Sequence, residues 1–254
     1  MTLDACAALV ERGDPDRFLA AMAAPVSARA KLLPLYALNL ELARAPWVTK
    51  EPMIAEMRLQ WWRDVVAEPT PRAHEVAGPV HGLIREANLP VAVFDRMIEA
   101  RRWDIYSDPF ADQAAMDAYL DDTAGGLMWL SALALGAAPK AEAAVRAFGW
   151  ASGLASYLRA IPALAERGRV PMLDGRPQAV AQLALRGLIR VNEARKSAST
   201  ISRTARPALL AGWQAEAVLK LAARDPQAVA DDRLHLSEFK KRGTLLWQAT
   251  TGLF

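Results

Sequence analysis

Residues 148–173 read FGWASGLASYLRAIPALAERGRVPML. Apolar side chains recur here at helical spacing, which predicts a helix over residues 141–164 that runs into a basic turn at Arg167, Gly168 and Arg169. From Leu158 to Leu164 the stretch carries one arginine, Arg159, and no carboxylate. A helix end of this kind suits a charged ligand but offers a metal ion no oxygen donors. Upstream, Gly149 and Gly153 stand four apart, a spacing that predicts a close helix crossing rather than a site.

The same period recurs outward from this segment. Residues 29–45 are mostly Leu and Ala, with Arg29, Lys31, Glu41 and Arg44 as charges, so a helix covered on most sides is expected, kinked or started at Pro34. The stretch MIAEMRLQWWRDVV places Ile54, Met57, Trp61 and Val65 on one stripe and Leu59, Trp62 and Val66 on a second, predicting burial on two sides. Helical spacing continues through residues 91–106, 114–135, 179–195 and 207–222, and no segment alternates with period two. Asp14-Pro15 reads as an N-cap followed by proline at the first helical position, and Leu89-Pro90 and Ala138-Pro139 resemble it. The expectation is one all-α domain over residues 1–254, in a chain that is 53% hydrophobic and long enough for one sizeable core.

Several chemistries are excluded early. A net charge of +3 is too small to argue for a nucleic-acid partner. The one cysteine, Cys6, rules out an internal disulfide and a cysteine-cluster metal site. His74 and His81 are separated by Gly78-Pro79 and His235 is remote, so no histidine metal site is expected. No phosphate-binding loop, dinucleotide fingerprint or paired nucleophile and base stands out. The opening MTLDACAALVERGDPD lacks the apolar run of a secretory signal, and the uncharged run at residues 123–139 falls short of a bilayer span, so a buried core helix is expected there.

Two basic features stay open. Arg186, Arg190, Arg195, Lys196, Arg203 and Arg206 form a strip that suits phosphates or anionic lipid heads, or else is a solvated face with local partners. Lys240, Lys241 and Arg242 precede Leu245, Leu246, Trp247, Leu253 and Phe254, a tail that either folds back on the core or lies on a membrane or partner.

Four stretches in order, RFLAAM…ARAKLLPLYALNLELARAP, MRLQWWRD, YLDDTAGGLMWLSALALG and the segment at residues 148–173, resemble the squalene/phytoene synthase family over residues 17–173. The resemblance implies an isoprenoid-synthase-type helical bundle around a central cavity that holds isoprenoid diphosphates. It also implies two aspartate-rich helix segments that face each other and bind magnesium, which would neutralise the departing diphosphate. Arg159 matches a family arginine and Gly168-Arg169 a family Gly-Arg pair. The acidic positions, however, are Ala43, Arg44 and Trp47 in the first segment and Ala160, Ala163 and Leu164 in the second. Glu41, Asp64, Asp104, Asp121 and Asp122 lie in or beside the matched segments, where solvated faces or local ion pairs account for them. Adjacent Asp121 and Asp122 diverge by about 100° around a helix, so they are poor joint ligands.

The stretches ALNLELA, MRLQWWRD and LRAIP resemble the branch of this family that includes the mitochondrial complex I assembly factor and its bacterial relatives. That implies a noncatalytic protein with no metal and no cofactor, acting as an assembly or lipid-like-ligand-binding factor for a respiratory membrane complex. Its expected place is cytoplasmic or peripheral at the inner membrane, its partners a membrane-complex subunit or an isoprenoid-like lipid. The rivals are an active head-to-head prenyltransferase with a divergent, magnesium-binding site and a soluble carrier of an isoprenoid or quinone. Tyr36, Asn39, Glu41, Arg58, Gln60, Trp61, Trp62, Arg159 and Arg169 are the candidates for a residual cavity or its rim, with no catalytic residue among them. The two tryptophans also read as core filling, and Glu41 and Arg58 also read as partners of each other.

Overall fold

A computed structural model describes residues 3–49, 51–106 and 108–254. Among the described residues there is no strand; the helices are α1 (Leu3–Gly13), α2 (Pro15–Ala23), α3 (Val26–Arg44), α4 (Pro52–Ala67), α5 (Ala77–Ala87), α6 (Val91–Ala100) and α7 (Gln113–Leu120), followed by α8 (Gly126–Ala134), α9 (Glu142–Glu166), α10 (Pro177–Lys196), α11 (Ala215–Arg224), α12 (Gln227–Ala230) and α13 (Glu238–Thr251). No described helix is long and apolar enough to cross a membrane.

Local chemistry sets many of the boundaries. The Asp14 carboxylate accepts the Arg17 backbone N–H at 2.9 Å and Pro15 follows it, so α2 starts where the sequence predicts. Asp112 caps α7 through the Ala115 N–H, and Ser237 caps α13 through that of Lys240. Pro34 does not start α3; it sits buried within it, eight residues after Val26. Asn88 ends α5 in the left-handed region at φ 48°, where a short polar side chain is tolerated.

Helix α9 lies at the centre, packed on α8, α10 and α11, while α3 packs on α1, α2, α5 and α8. Cys6 in α1 joins this core, and burial pushes its thiol up to about 11. Gly149 lets α9 closely approach the turn that precedes α8: a Cβ there would stand 2.9 Å from Gly125 Cα and 3.0 Å from the Ala124 carbonyl. The small-residue spacing is therefore a crossing.

Four stretches depart from the expected pattern. The helix expected through residue 106 stops at Ala100 and tightens into a 3-10 turn, Arg101–Asp104. That expected over residues 114–135 carries a π-helical turn, Asp121–Gly125, between α7 and α8. Residues Arg206–Gly212 are a 3-10 segment rather than the start of α11. In α4 the stripe of Leu59, Trp62 and Val66 is buried, while on the other Val65 is buried, Trp61 is partly buried, and Ile54 and Met57 are 48% and 65% exposed. Burial on two sides therefore holds in the last turns of α4 and fails in the first, where Ile54 and Met57 remain exposed.

Candidate functional site

A cavity of about 230 Å³ opens between α3, the α7–α8 segment, α9 and the Arg206–Gly212 turn. Tyr36, Asn39 and Ala43 line it from α3, since residues three and seven apart share a helix face. Helix α9 contributes Ser152, Ser156, Tyr157, Ala160 and Leu164, and Leu120, Ala124, Leu127 and Met128 close an apolar wall. Across from them Trp47 stands at the cavity's margin, 41% exposed.

One tip of the cavity is polar. The 3-10 turn after α6 points Arg101 and Asp104 inward, and Arg101 Nη1 donates to Asp104 Oδ2 at 3.0 Å and to the Tyr119 hydroxyl at 2.9 Å. Tyr119 in turn donates to Asp104 Oδ1 at 2.9 Å, and Arg101 Nη2 reaches Asn39 Oδ1 at 3.4 Å. Burial works against the Arg101 charge, but Tyr119 and Asp104 outweigh it and its pKa is raised. Burial, then Asp104, raise the Tyr119 pKa, so this hydroxyl stays neutral. The tip is a compensated pair that displays donors without net charge.

The other arginines near the cavity are likewise engaged. Arg17 holds Asp14 at 2.9 Å and lies over the Tyr36 ring, 5.4 Å from its centroid. Burial lifts the Tyr36 hydroxyl to about 12. Arg159 lines not this cavity but a neighbouring cleft of about 70 Å³, where it meets Asp16 at 3.2 Å. Burial raises the Asp16 carboxyl, yet hydrogen bonds from Gln214, Lys241 and Arg159 outweigh it and hold the pKa below the usual range. Arg169 is buried, packed against Trp47 and Trp103, and donates to the Trp103 and Asp104 carbonyls.

Among the nine sequence candidates, then, Tyr36 and Asn39 line the cavity, Arg169 braces the turn behind it, and Arg159 occupies the adjacent cleft. Five need correction: Glu41 lies on α3 but not in the lining, and the other four lie on α4, which packs on α5 and α6 and contributes no lining residue. Glu41, five residues past Tyr36 and so turned well away from it, sits 3.7 Å from Arg58 and 3.9 Å from Arg44. Gln60 donates to Asp64 at the surface. Trp61 and Trp62 pack edge-on against each other and His74, filling space beside α5. Sequence reasoning missed Arg17, Arg101, Tyr119 and the serines of α9; Asp104 was visible only as a member of an ion pair.

The basic strip splits. Arg186 pairs with Asp117, and both Arg186 and Arg190 lie over the Trp150 ring, whereas Arg195 pairs with Glu216 at 2.5 Å. Asp121 turns to Arg146 and Asp122 to Arg96, so the two diverge as the helix period requires.

Four of the positions matched to the family's acids, Ala43, Trp47, Ala160 and Leu164, line the cavity, while Arg44 and Ala163 are exposed. Magnesium would need several oxygen donors here. Asp104 is the one carboxylate in the lining, and Arg101 and Tyr119 already engage it. The residues present do not fit a magnesium cluster. Among the described residues, no three His, Cys, Asp or Glu side chains gather where a metal ion would be held.

With this geometry in view, the squalene/phytoene synthase family profile matches residues 10–172. Curated relatives include NADH dehydrogenase (ubiquinone) complex I, assembly factor 6, from Bos taurus and Homo sapiens, 27% and 25% identical over 169 residues. Those alignments cover 65% of this chain and 51% of each relative, so the match spans about half the length of the relatives. Among solved structures, a dehydrosqualene synthase superposes with a TM-score of 0.81 at 16% identity, covering 98% of this chain and 95% of the other. A squalene synthase from Alicyclobacillus acidocaldarius gives 0.74 at 19%, covering 87% and 93%. These likenesses establish the isoprenoid-synthase-type helical fold.

Proposed function

The chain belongs to the squalene/phytoene synthase family, and from that membership we propose that it is a noncatalytic member, an assembly factor for a respiratory membrane complex that keeps the cavity for an uncharged isoprenoid-like lipid. The observation that carries the reading is the replacement of carboxylates on facing walls by Ala43, Trp47, Ala160 and Leu164. Without oxygen donors there, no metal neutralises a departing diphosphate, and ionisation of an allylic substrate loses its main electrostatic support.

The ligand class follows from the charge inventory. A diphosphate needs several free cations, but Arg101 is engaged by Asp104, Arg159 by Asp16 and Arg169 by backbone carbonyls, and Arg17, held by Asp14, keeps only its Nε without a partner. An uncharged lipid would set its chain against Leu120, Leu127 and Met128 and a weak acceptor at the Arg101–Tyr119 tip. The assembly role is supported by the named relatives, which this chain matches over 65% of its length. Incubation with farnesyl or geranylgeranyl diphosphate and Mg²⁺ tests the noncatalytic part: no pyrophosphate is expected, and metal-dependent release would establish the active prenyltransferase instead. Native mass spectrometry of gently purified protein tests the ligand, with a retained neutral lipid as the expected result.

A further inference from the structure

Helix α13 is built inside out for a helix with water on one side. Its inner face carries buried Leu245, with Lys241 tied to Asp16 of α2 at 3.2 Å. Its outer face carries Phe239 and Leu246, two turns apart and 90% and 66% exposed, with Trp247 beside them at 61%. Isolated exposed apolar residues are ordinary, but a row of large ones on a single helix marks a contact surface.

Basic groups, two of them without acidic side-chain partners, lie at the C-terminal end of α13, where the row reaches Trp247. A groove of about 430 Å³ runs between the Arg206–Gly212 turn and α13, lined by Arg203, Arg206, Pro207, Thr250 and Leu253 among others, with no Asp or Glu side chain in its lining. Among the described residues no carboxylate lies within 4.0 Å of Arg203 or Arg206. Arg206 Nε is buried without a hydrogen-bond partner, and its Nη1 makes one long contact, 3.4 Å, to the Gly252 carbonyl. A second groove brings Arg206 against Trp247 and Leu253, so the arginine stands within the apolar surface. Arg242 flanks the row and is 82% exposed by side chain, with Glu238 at 4.0 Å as its acid.

We propose that this face docks on an anionic phospholipid bilayer, with Phe239, Leu246 and Trp247 among the headgroups and Arg203 and Arg206 on lipid phosphates. A bilayer surface takes both halves of the pattern, the apolar row in its interface and the arginines on its charge. A nucleic acid would leave Phe239 and Leu246 in water. The inference does not rest on the cavity reading: the face shares the Arg206–Gly212 turn with the cavity but none of its lining residues, and it needs no cavity ligand.

Sedimentation of the full chain with phosphatidylcholine vesicles, with and without phosphatidylglycerol, tests it. Binding is expected with the anionic vesicles and weakens with added salt. Arg203→Ala and Arg242→Ala each lower the partition coefficient by about fivefold, and Phe239→Ser and Leu246→Ser lower it further while melting like the wild type. The inference is overturned by equal binding to neutral vesicles, by no binding to either kind, as expected if a protein partner covers this face, or by well-folded variants that bind unchanged.

Discussion

Arg101 Nη1 and Asp104 Oδ2 stand 3.0 Å apart at the polar tip of the cavity, held there by a single 3-10 turn and closed off by the Tyr119 hydroxyl. The pair is largely buried, with side-chain exposures of 17% and 9%. Its members therefore depend on each other more than on water.

Removing one member strands the other. Arg101→Met and Asp104→Leu are each expected to destabilise the fold by about 3–5 kcal/mol, and the Arg101→Met/Asp104→Leu double variant by less than either. Urea denaturation of the three variants checks this; additive losses would mean that the pair is not coupled.

Ala160 faces the cavity from α9, opposite the α3 wall. Ala160→Phe is expected to fill the space, so that lipid no longer co-purifies while the melting temperature stays at or above that of the wild type. Native mass spectrometry beside a thermal melt measures both; retained lipid in the variant would place the ligand elsewhere.

Two glycines should respond in opposite directions. Gly149→Ala drives a Cβ into fixed backbone at 2.9 Å and should cost about 1–3 kcal/mol. Gly243 in α13 has nothing within 4 Å of its would-be Cβ, so Gly243→Ala should add about 0.5–1 kcal/mol through helix propensity. Chemical denaturation midpoints give both signs.

Glu216 bridges Arg195 at 2.5 Å and Lys220 at 2.6 Å, and the Arg195 hydrogen bond leads in holding its carboxyl down at about 2, below the ordinary 4.5. A depressed folded-state pKa gives stability that is full above 4.5 and lost as pH falls towards 2. Because the pair is a third exposed, Glu216→Gln should cost about 1 kcal/mol at neutral pH. Melts across pH should show wild type and variant converging near pH 2; a constant gap would remove the ion pair as the cause.

The sequence by itself determined that the chain is helical, where Asp14 starts α2, that Gly149 and Gly153 mark a close crossing, and that Asp121 and Asp122 diverge. Each of these depends on neighbours within a turn or two, or on the 3.6-residue period, which a linear pattern reports directly. The pairing of Glu41 with Arg58 was legible for a related reason, since both charges sit in otherwise apolar helices and need partners. Only the tertiary structure decided which candidates share a cavity. A period tells which side of a helix is covered but not what covers it, so Trp61 and Trp62 read both as core filling and as cavity residues, and the packing of α4 on α5 and α6 decides for core filling. Arg159 finds Asp16 across 143 residues of chain and Arg169 finds the Asp104 carbonyl across 65, contacts that no local spacing encodes. The charge balance of the cavity is set by these long-range partners, because a guanidinium's availability depends on what the fold brings beside it.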